Sequence, residues 1–72
     1  MPEMRQVRSS HVWEIGYEDG TLHVHYWPSV ECPTGRLVRY LGVDQKTADA
    51  VMSAPSIGGA LHAMVRGKYE AA

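Results

Sequence analysis

The chain has little of what usually stabilises a small domain. Its 72 residues include a single cysteine, Cys32, and no phenylalanine. One cysteine excludes an intramolecular disulfide and a zinc site built from several cysteines, and it fits a reducing cytoplasm. A domain of this size buries only about 60% of its unfolded surface. We therefore expect association between subunits to add stability, and a homodimer is the expected assembly.

Long apolar runs and an excess of positive charge are also missing. No stretch approaches the roughly 20 apolar residues that span a bilayer, and the first ten residues lack the apolar core of a secretory signal. We expect a cytoplasmic protein that does not contact membranes. Seven basic and eight acidic residues give a net charge of -1, which disfavours nucleic-acid binding through bulk electrostatics. Any such binding has to rest on a local patch.

Alternation of apolar and polar residues predicts the two strands of a hairpin in residues 11–17 and 21–27. A loop from Glu18 to Thr21, with Gly20 in the left-handed conformation, joins them. The expected cross-strand pairs on the core side are Tyr17 with Leu22, Ile15 with Val24, and Trp13 with Tyr26. The outer side then carries His23, His25 and Trp27, and a shift of one residue would bury these two histidines in the core.

Residues 28–35 predict a loop, because two prolines and a glycine fit neither a helix nor a central strand. The segment RLVRYLGV that follows predicts a third strand. Its Val38 and Tyr40 face the core, and the alternating positions, with Arg39 between them, face outward.

Two helices are predicted after this strand. Asp44 is the expected N-cap of the first, which ends near Ala54, before a proline. Ser56 caps the second, whose apolar stripe leads to Arg66 in the last turn and Gly67 at the C-terminus. The apolar stripe comprises Ile57, Ala60, Leu61, Met64 and Val65.

These elements predict an α+β fold, a three-stranded antiparallel β-meander with two C-terminal helices covering one face. The chain is expected to form a single domain, residues 1–72, with an ordered core from about 7 to 69. We expect both polar ends, residues 1–6 and 70–72, to be frayed and Tyr69 to fold back onto the domain.

Short matches in a fixed order resemble a known family and run from about residue 7 to residue 69. They are Ser9, Ser10 and Val12, then Ile15, Gly16 and Tyr17, then TLHVHY and RYLGV, and finally Ser56, Gly58, Arg66, Gly67 and Tyr69. This pattern resembles the KTSC domain family, small domains found alone in bacteria and phages and at the C-terminus of some lysyl-tRNA synthetases. The resemblance implies a similar fold and a bacterial or phage origin. It implies no established activity, although RNA binding has been suggested for the family.

Two features depart from the family pattern. The family usually has a Tyr-x-Tyr motif in the third strand, and here Val38 stands at the first position and only Tyr40 remains. If the paired tyrosines form a binding surface, this chain has lost half of it. The loop of residues 28–35 is also longer than is usual between these strands.

The sequence patterns that would indicate a metal site or a catalytic residue are incomplete. His23 and His25 lie two apart on one strand face, and Glu14 or His11 would have to supply a third ligand. Exposed strand histidines without a metal are commoner, so no metal or other cofactor is expected. Cys32 beside a proline in a loop has no nucleophile signature. We expect a protein that is not an enzyme.

Two glycines, Gly58 and Gly59, lie at the start of the second predicted helix. Their backbone amides could hold an anion, and a nucleotide-like ligand sequestered there is one functional possibility. Close packing of helix against sheet is the competing explanation of the same glycines.

The main functional hypothesis is binding of RNA or another single-stranded nucleic acid by aromatic and cationic side chains. The alternative is a protein-interaction or homodimerisation surface on the outer face, since Trp27, Leu37 and Leu41 make that face apolar. The predicted contact residues for either partner are Trp27, Arg39, Tyr40, His23, His25, Arg66, Lys68 and Tyr69.

Overall fold

The structure is a computed structural model that describes residues 3–7 and 11–72. In this part of the chain, five strands form one antiparallel sheet in the order β1-β2-β3-β4-β5, and two helices lie between the last two strands in sequence. No helix in the described ranges is long and apolar enough to cross a bilayer. The strands are β1 (Arg5–Gln6), β2 (Val12–Glu18), β3 (Thr21–Tyr26), β4 (Arg36–Leu41) and β5 (Glu70–Ala71), and the helices are α1 (Gln45–Met52) and α2 (Ile57–Met64).

The α+β class, the antiparallel meander and the two helices are confirmed, but the number of strands was predicted wrongly. The two additional strands are only two residues long and lie at the sheet edges, where β1 pairs with β2 and β5 with β4. A two-residue strand shows no periodicity in the sequence, so it could not be predicted. The segments at positions 5–6 and 70–71, which are expected to fray, pair with the sheet instead. Residues 1 and 2, and the Ser9 and Ser10 of the family pattern, lie outside the described residues.

The hairpin turn is tighter than the predicted loop. Glu18 pairs with Thr21, so the turn consists of Asp19 and Gly20, whose φ angles are 51° and 76°. Two successive positive φ angles are typical of a type I′ turn, which matches the right-handed twist of the flanking strands. The predicted pairs Tyr17–Leu22 and Ile15–Val24 are confirmed.

The third predicted pair is wrong because the β2 strand contains a bulge. Val12, and not Trp13, pairs with Tyr26, and the register shifts between Val12 and Glu14. The extra residue turns Trp13 to the outer side of the sheet. Val12 is fully buried in its place, so the chain puts a compact β-branched residue in the core and an indole ring outside it.

The core lies between the sheet and the two helices. Tyr40 is buried, Val38 nearly so, and Arg39 between them is exposed, as predicted. The Ser56 hydroxyl accepts a hydrogen bond from the Gly59 amide, which confirms the predicted cap of α2. The buried apolar residues are Val12, Ile15, Leu22, Val24, Val38, Tyr40, Val43, Ala48, Val51, Ile57, Leu61 and Val65.

The chain turns from α2 back to the sheet over residues 65–69. Gly67 has a φ of 80°, in the left-handed region that glycine adopts readily after a helix. Tyr69 then packs against the core, as expected, and β5 joins the free edge of β4. Beyond β5, Ala72 and Arg39 exchange backbone hydrogen bonds of 2.7 and 3.3 Å. This return fixes the position of the segment that follows α2.

Candidate functional site

An open cleft of about 480 Å³ lies on the helix-covered side of the sheet, beyond the C-terminal end of α2. Strands β3, β4 and β5 form its floor, and the turn after α2 forms one wall. The lining residues are His11, Tyr26, Arg36, Val38, Tyr40, Arg66, Gly67, Tyr69 and Ala71.

Strand alternation and the turn after α2 place two arginines at this cleft. Arg36, Val38 and Tyr40 are alternate residues of β4, so all three face the helix side. Arg36 begins the strand, beyond the core, and its side chain is exposed. Arg66 follows the end of α2 and is also exposed. The two guanidinium groups thus come to one cleft from segments 30 residues apart in the chain.

A pair of tyrosine hydroxyls lies within the cleft. The Tyr26 and Tyr40 hydroxyl oxygens are 3.1 Å apart and form a hydrogen bond. Burial and, next, this hydrogen bond raise the pKa of Tyr26 above its ordinary value, while the charges of Arg66 and Arg36 act in the opposite direction. The Tyr26 phenol is therefore neutral at neutral pH. Because only one of the two protons is used between them, the other hydroxyl proton can be donated to a ligand.

The charge of the cleft is positive and not compensated. None of the described residues that line it is acidic. Within residues 3–7 and 11–72, the contact found between a carboxylate and a basic side chain joins Glu14 and His25, and it lies on the other side of the sheet. Arg36 and Arg66 therefore have no carboxylate partner in the described chain. Unpaired guanidinium groups at an aromatic cleft are suited to bind an anion.

A second cleft, at the opposite edge of the sheet, has a different character. It is about 500 Å³ in volume and lies between β1 and α1. Arg5 lines it together with Glu3 and Asp49, so acidic and basic side chains share the same surface. This mixture gives no preference for a ligand of either charge.

The outer face of the sheet carries an aromatic cluster. The Trp13 and Trp27 rings are stacked, with centroids 5.4 Å apart and planes at 18°. Trp13 also contacts the His25 ring, at 4.8 Å and 38°. The Nδ1 of His25 lies 3.1 Å from Oε1 of Glu14. Trp27 remains 45% exposed and Leu41 37% exposed.

His23 is buried on this outer face, although strand alternation predicts that it is exposed to solvent. Only 7% of its surface is exposed, and its Nδ1 has no hydrogen-bond partner among the described residues. Gly16 and Arg39 flank it on the neighbouring strands. Burial, and secondarily the charge of Arg39, lower the pKa of His23. The imidazole is therefore neutral at neutral pH.

The histidines do not converge on a metal site in the described part of the chain, where no group of three or more potential ligands is found. His25 pairs with Glu14, whereas His11 lies at the cleft on the other side of the sheet. The sheet thus separates His11 from the two strand histidines, whereas Glu14 contacts His25.

The glycines at the start of α2 are partly accounted for by the cap. The Gly59 amide donates to the Ser56 hydroxyl at 3.3 Å, so this amide already has a partner. A Cβ atom at Gly59 would lie 3.1 Å from the same hydroxyl oxygen. Gly58 is half-buried. This contact is with the cap of the same helix and not with the sheet, so both explanations of the glycines stay predictions.

The predicted contact residues are divided between the two sides of the sheet. Tyr40, Arg66 and Tyr69 line the cleft, and Lys68 is exposed in the nearby turn without lining it. The outer face carries Trp27, Arg39, His23 and His25.

Sequence reasoning did not place Tyr26, Arg36 or His11 at a cleft on the helix side, although Arg36 is one of the cations that suggest nucleic-acid binding. The alternation of β4 already placed Arg36 on the same side as Tyr40, and the hairpin register placed Tyr26 there too. That signal was available, but the prediction put the binding surface on the uncovered face. The distance that α2 covers along the sheet could not be read from the pattern.

The cleft also gives a structural meaning to the departure from the Tyr-x-Tyr pattern. Val38 lies between Arg36 and Tyr40 on β4 and lines the cleft. A tyrosine at position 38 would project toward the same space. In this chain Tyr26, on β3, supplies the hydroxyl that pairs with Tyr40.

Comparison with known proteins identifies the family. The model of the KTSC domain family matches residues 8–69. A crystal structure of a KTSC domain protein from Yersinia pestis is similar, with a TM-score of 0.84 and 27% sequence identity, over 100% of this chain and 96% of that one. No curated protein matches. Since the family model covers most of the sequence and the fold agrees over the whole chain, the chain belongs to the KTSC domain family.

Proposed function

We propose that this protein is a small non-enzymatic module that binds single-stranded nucleic acid, RNA being the favoured form. The observation that carries the proposal is the cleft, in which Arg36 and Arg66 lie beside three tyrosines and have no carboxylate partner in the described part of the chain. Guanidinium groups bind phosphate oxygens through paired hydrogen bonds, and aromatic rings stack on bases of any sequence. The net charge of -1 makes this a local binding site and not a general affinity for polyanions.

The cleft favours a flexible strand over a duplex. Its floor lies below the exposed arginines, because Tyr40 is buried while Arg36 and Arg66 are exposed. A duplex presents its phosphates on a rigid convex surface, whereas a single strand can place a phosphate and a base in a recess. Binding in the cytoplasm of a bacterium or phage-infected cell is part of the proposal, and there the free thiol of Cys32 stays reduced.

The experiment is fluorescence anisotropy with a labelled single-stranded RNA of about ten nucleotides, compared with a duplex of the same sequence. We expect Arg66→Gln to weaken binding about tenfold or more. Arg39→Gln, an exposed arginine on the outer face, is the matched control and should leave affinity unchanged. Neutralising two phosphates predicts a slope of about -1.4 for log affinity against log salt concentration.

Two results would contradict this proposal. Absence of RNA binding at low salt would remove the nucleic-acid function. Loss of binding in Arg39→Gln with normal binding in Arg66→Gln would move the site to the outer face.

A second candidate function is self-association through the outer face. The specific observation is the stacked pair of Trp13 and Trp27, with Trp27 half-exposed. Leu41 is exposed at the other end of the same face. A symmetric homodimer that covers these side chains would supply stability that a short chain lacks. The two functions are compatible, because the cleft opens on the other side of the sheet.

Light scattering at micromolar concentration tests the homodimer. We expect the wild type to have the mass of two chains and Trp27→Glu that of one, with a melting temperature that depends on concentration only in the wild type. Trp27→Glu should still bind RNA. A wild-type protein with the mass of one chain excludes the homodimer and leaves the outer face for another protein partner.

A further inference from the structure

We infer that the cleft recognises a nucleotide through a terminal phosphate, a phosphomonoester, in preference to the phosphodiesters along a strand. The inference rests on the proposed binding function and specifies the chemical group that enters the cleft. The same group occurs in two sources, a free mononucleotide and a strand with a phosphorylated end, and the experiment below separates them.

The number and charge of the arginines are the first argument. A phosphodiester carries one negative charge, and a phosphomonoester carries between about 1.5 and 2 at neutral pH. Arg36 and Arg66 supply two positive charges, and no described acidic residue lines the cleft to offset them. Their charges both reach the Tyr26 hydroxyl, so they act on a common point. A dianion at that point balances both.

The tyrosine pair is the second argument. Within the Tyr26–Tyr40 hydrogen bond one hydroxyl donates to the other, and the remaining proton is available to an acceptor. Tyr40 is only 5% exposed and Tyr26 is half-buried, so the pair lies below the rim of the cleft whichever hydroxyl holds the remaining proton. A terminal phosphate has three oxygens free to accept from the two arginines and the hydroxyl together. A phosphodiester has two such oxygens, and its chain continues on both sides.

The size and shape of the cleft are the third argument. A volume of about 480 Å³ lies in the lower part of the range of small-molecule sites and suits one nucleotide better than a continuous strand. Tyr69 is partly buried and lines one wall, where its ring can contact a base or ribose. The strand of a longer ligand would leave through the open side, past Arg66.

This site replaces the start of α2 as the place for a nucleotide-like ligand. At that helix start the Gly59 amide is already engaged by the Ser56 hydroxyl. At the cleft, by contrast, charge, a buried donor and an aromatic wall occur together. Only the cleft therefore offers both a phosphate contact and a surface for the nucleoside.

Isothermal titration calorimetry tests the inference with six probes. Three are small: adenosine 5′-monophosphate, adenosine and inorganic phosphate. Three are the same single-stranded RNA of about eight nucleotides with hydroxyl ends, with a 5′-phosphate, or with a 3′-phosphate. We expect the monophosphate to bind at least tenfold more tightly than adenosine or inorganic phosphate. One of the two phosphorylated strands should bind at least tenfold more tightly than the strand with hydroxyl ends.

Single substitutions show which side chains contribute to binding of the terminal phosphate. Arg36→Gln and Arg66→Gln should each remove most of the gain in affinity that the terminal phosphate gives over hydroxyl ends. Binding of the hydroxyl-ended strand should be less affected. Tyr26→Phe should lower that gain by several fold, because one hydroxyl donor is lost. Arg39→Gln is the control and should retain it. Circular dichroism melting checks that each variant folds, and exposed arginines are suited to such substitution.

The outcomes separate this inference from the proposed function. If the three strands bind equally and binding still depends on Arg66, the inference is overturned and nucleic-acid binding stands. If the monophosphate binds but no strand does, the phosphomonoester site stands and the ligand is a free nucleotide, so the nucleic-acid function falls. If inorganic phosphate binds as tightly as the monophosphate, nucleotide recognition is overturned. If no probe binds, both proposals are overturned.

Discussion

The two sides of this sheet hold the same kinds of side chain in opposite arrangements. On the outer face, His25 pairs with Glu14, the His23 ring is covered, and Arg39 is an exposed charge. On the helix side, Arg36 and Arg66 lie at an open cleft without any acidic partner among the described residues. The outer face has exposed apolar area but little free charge. The cleft has free charge and a buried donor.

This difference indicates different kinds of partner. Exposed aromatic and aliphatic groups with satisfied charges are typical of a surface that another protein covers. Unpaired guanidinium groups above neutral hydroxyls are typical of an anion site. The candidate assembly surface and the candidate ligand site thus lie on opposite faces of one sheet. Substitutions can change either surface without changing the other.

The largest expected difference between the two sides is in the free energy of unfolding that is lost when one aromatic residue on each side is replaced by alanine. Tyr40→Ala should lower the free energy of unfolding by about 3 to 5 kcal/mol, because a buried ring and its hydroxyl contact with Tyr26 are lost. Trp27→Ala should cost about 1 kcal/mol or less, since the ring is half-exposed and its stacking on Trp13 is a surface contact.

Urea unfolding at one fixed protein concentration measures both changes, and Arg39→Ala, expected to change stability by about 0.5 kcal/mol or less, is the control. Fixed concentration matters because a dimer is stabilised by mass action. A Trp27→Ala cost as large as that of Tyr40→Ala would show that the outer face contributes to the core of the molecule.

A second, smaller effect tests the glycine that lies between the two sides. Gly35 has a φ of 81°, and a Cβ atom there would lie 2.7 Å from the Tyr26 carbonyl oxygen and 2.8 Å from Nε2 of His25. Tyr26 belongs to the cleft and His25 to the outer face. Gly35→Ala should therefore cost about 2 to 3 kcal/mol, from backbone strain and from these contacts.

Gly42→Ala is the matched control, because Gly42 has a φ of 72° but no heavy atom of the described residues lies within 4 Å of the position that a Cβ atom would take. Its cost should be about 1 kcal/mol, from backbone strain alone. Thermal melting of the two variants gives the difference, which measures the close approach at Gly35. Equal destabilisation by both substitutions would mean that the loop simply moves away.

The sequence allowed most of the core to be predicted, because alternation in three strands and the stripe of α2 are strong local signals. Tyr40 and Val38 were placed correctly for that reason. The bulge at Trp13 has no such signal, since an inserted residue shifts the pattern without changing its composition. Strands β1 and β5 are too short to have a period.

The candidate site could be predicted only in part, for a similar reason. Tyr40, Arg66 and Tyr69 were named, yet nothing local to Arg36 shows that it meets Arg66 at one cleft. That meeting depends on where α2 ends relative to the sheet, and on the turn at Gly67 that returns the chain to β4. Both are properties of the packed molecule.

A third effect, of about 1 kcal/mol, tests the hydroxyl pair in the cleft. Tyr26→Phe removes the hydrogen bond to Tyr40 while keeping both rings, so the loss should equal that of one neutral hydrogen bond. Tyr40→Phe should cost a similar amount. In the double variant the costs should not add, because both substitutions remove the same bond. Strict additivity in urea unfolding would show that the two hydroxyls bond to water instead.

The smallest expected effect concerns the buried histidine of the outer face. Burial, and then Arg39, lower the pKa of His23 in the folded protein, so the unfolded chain binds the proton more readily. The contribution of neutral His23 is complete above its ordinary pKa of about 6.5 and is lost as the pH falls below that value. Stability should therefore decline from about pH 7.5 to about pH 5, and the decline should be smaller in His23→Gln. Urea midpoints across this range provide the measurement, and the difference between the two profiles removes the contribution of the other histidines. An identical decline in both proteins would mean that His23 is protonated without loss of folding, and that the outer face has room for its charge beside Arg39.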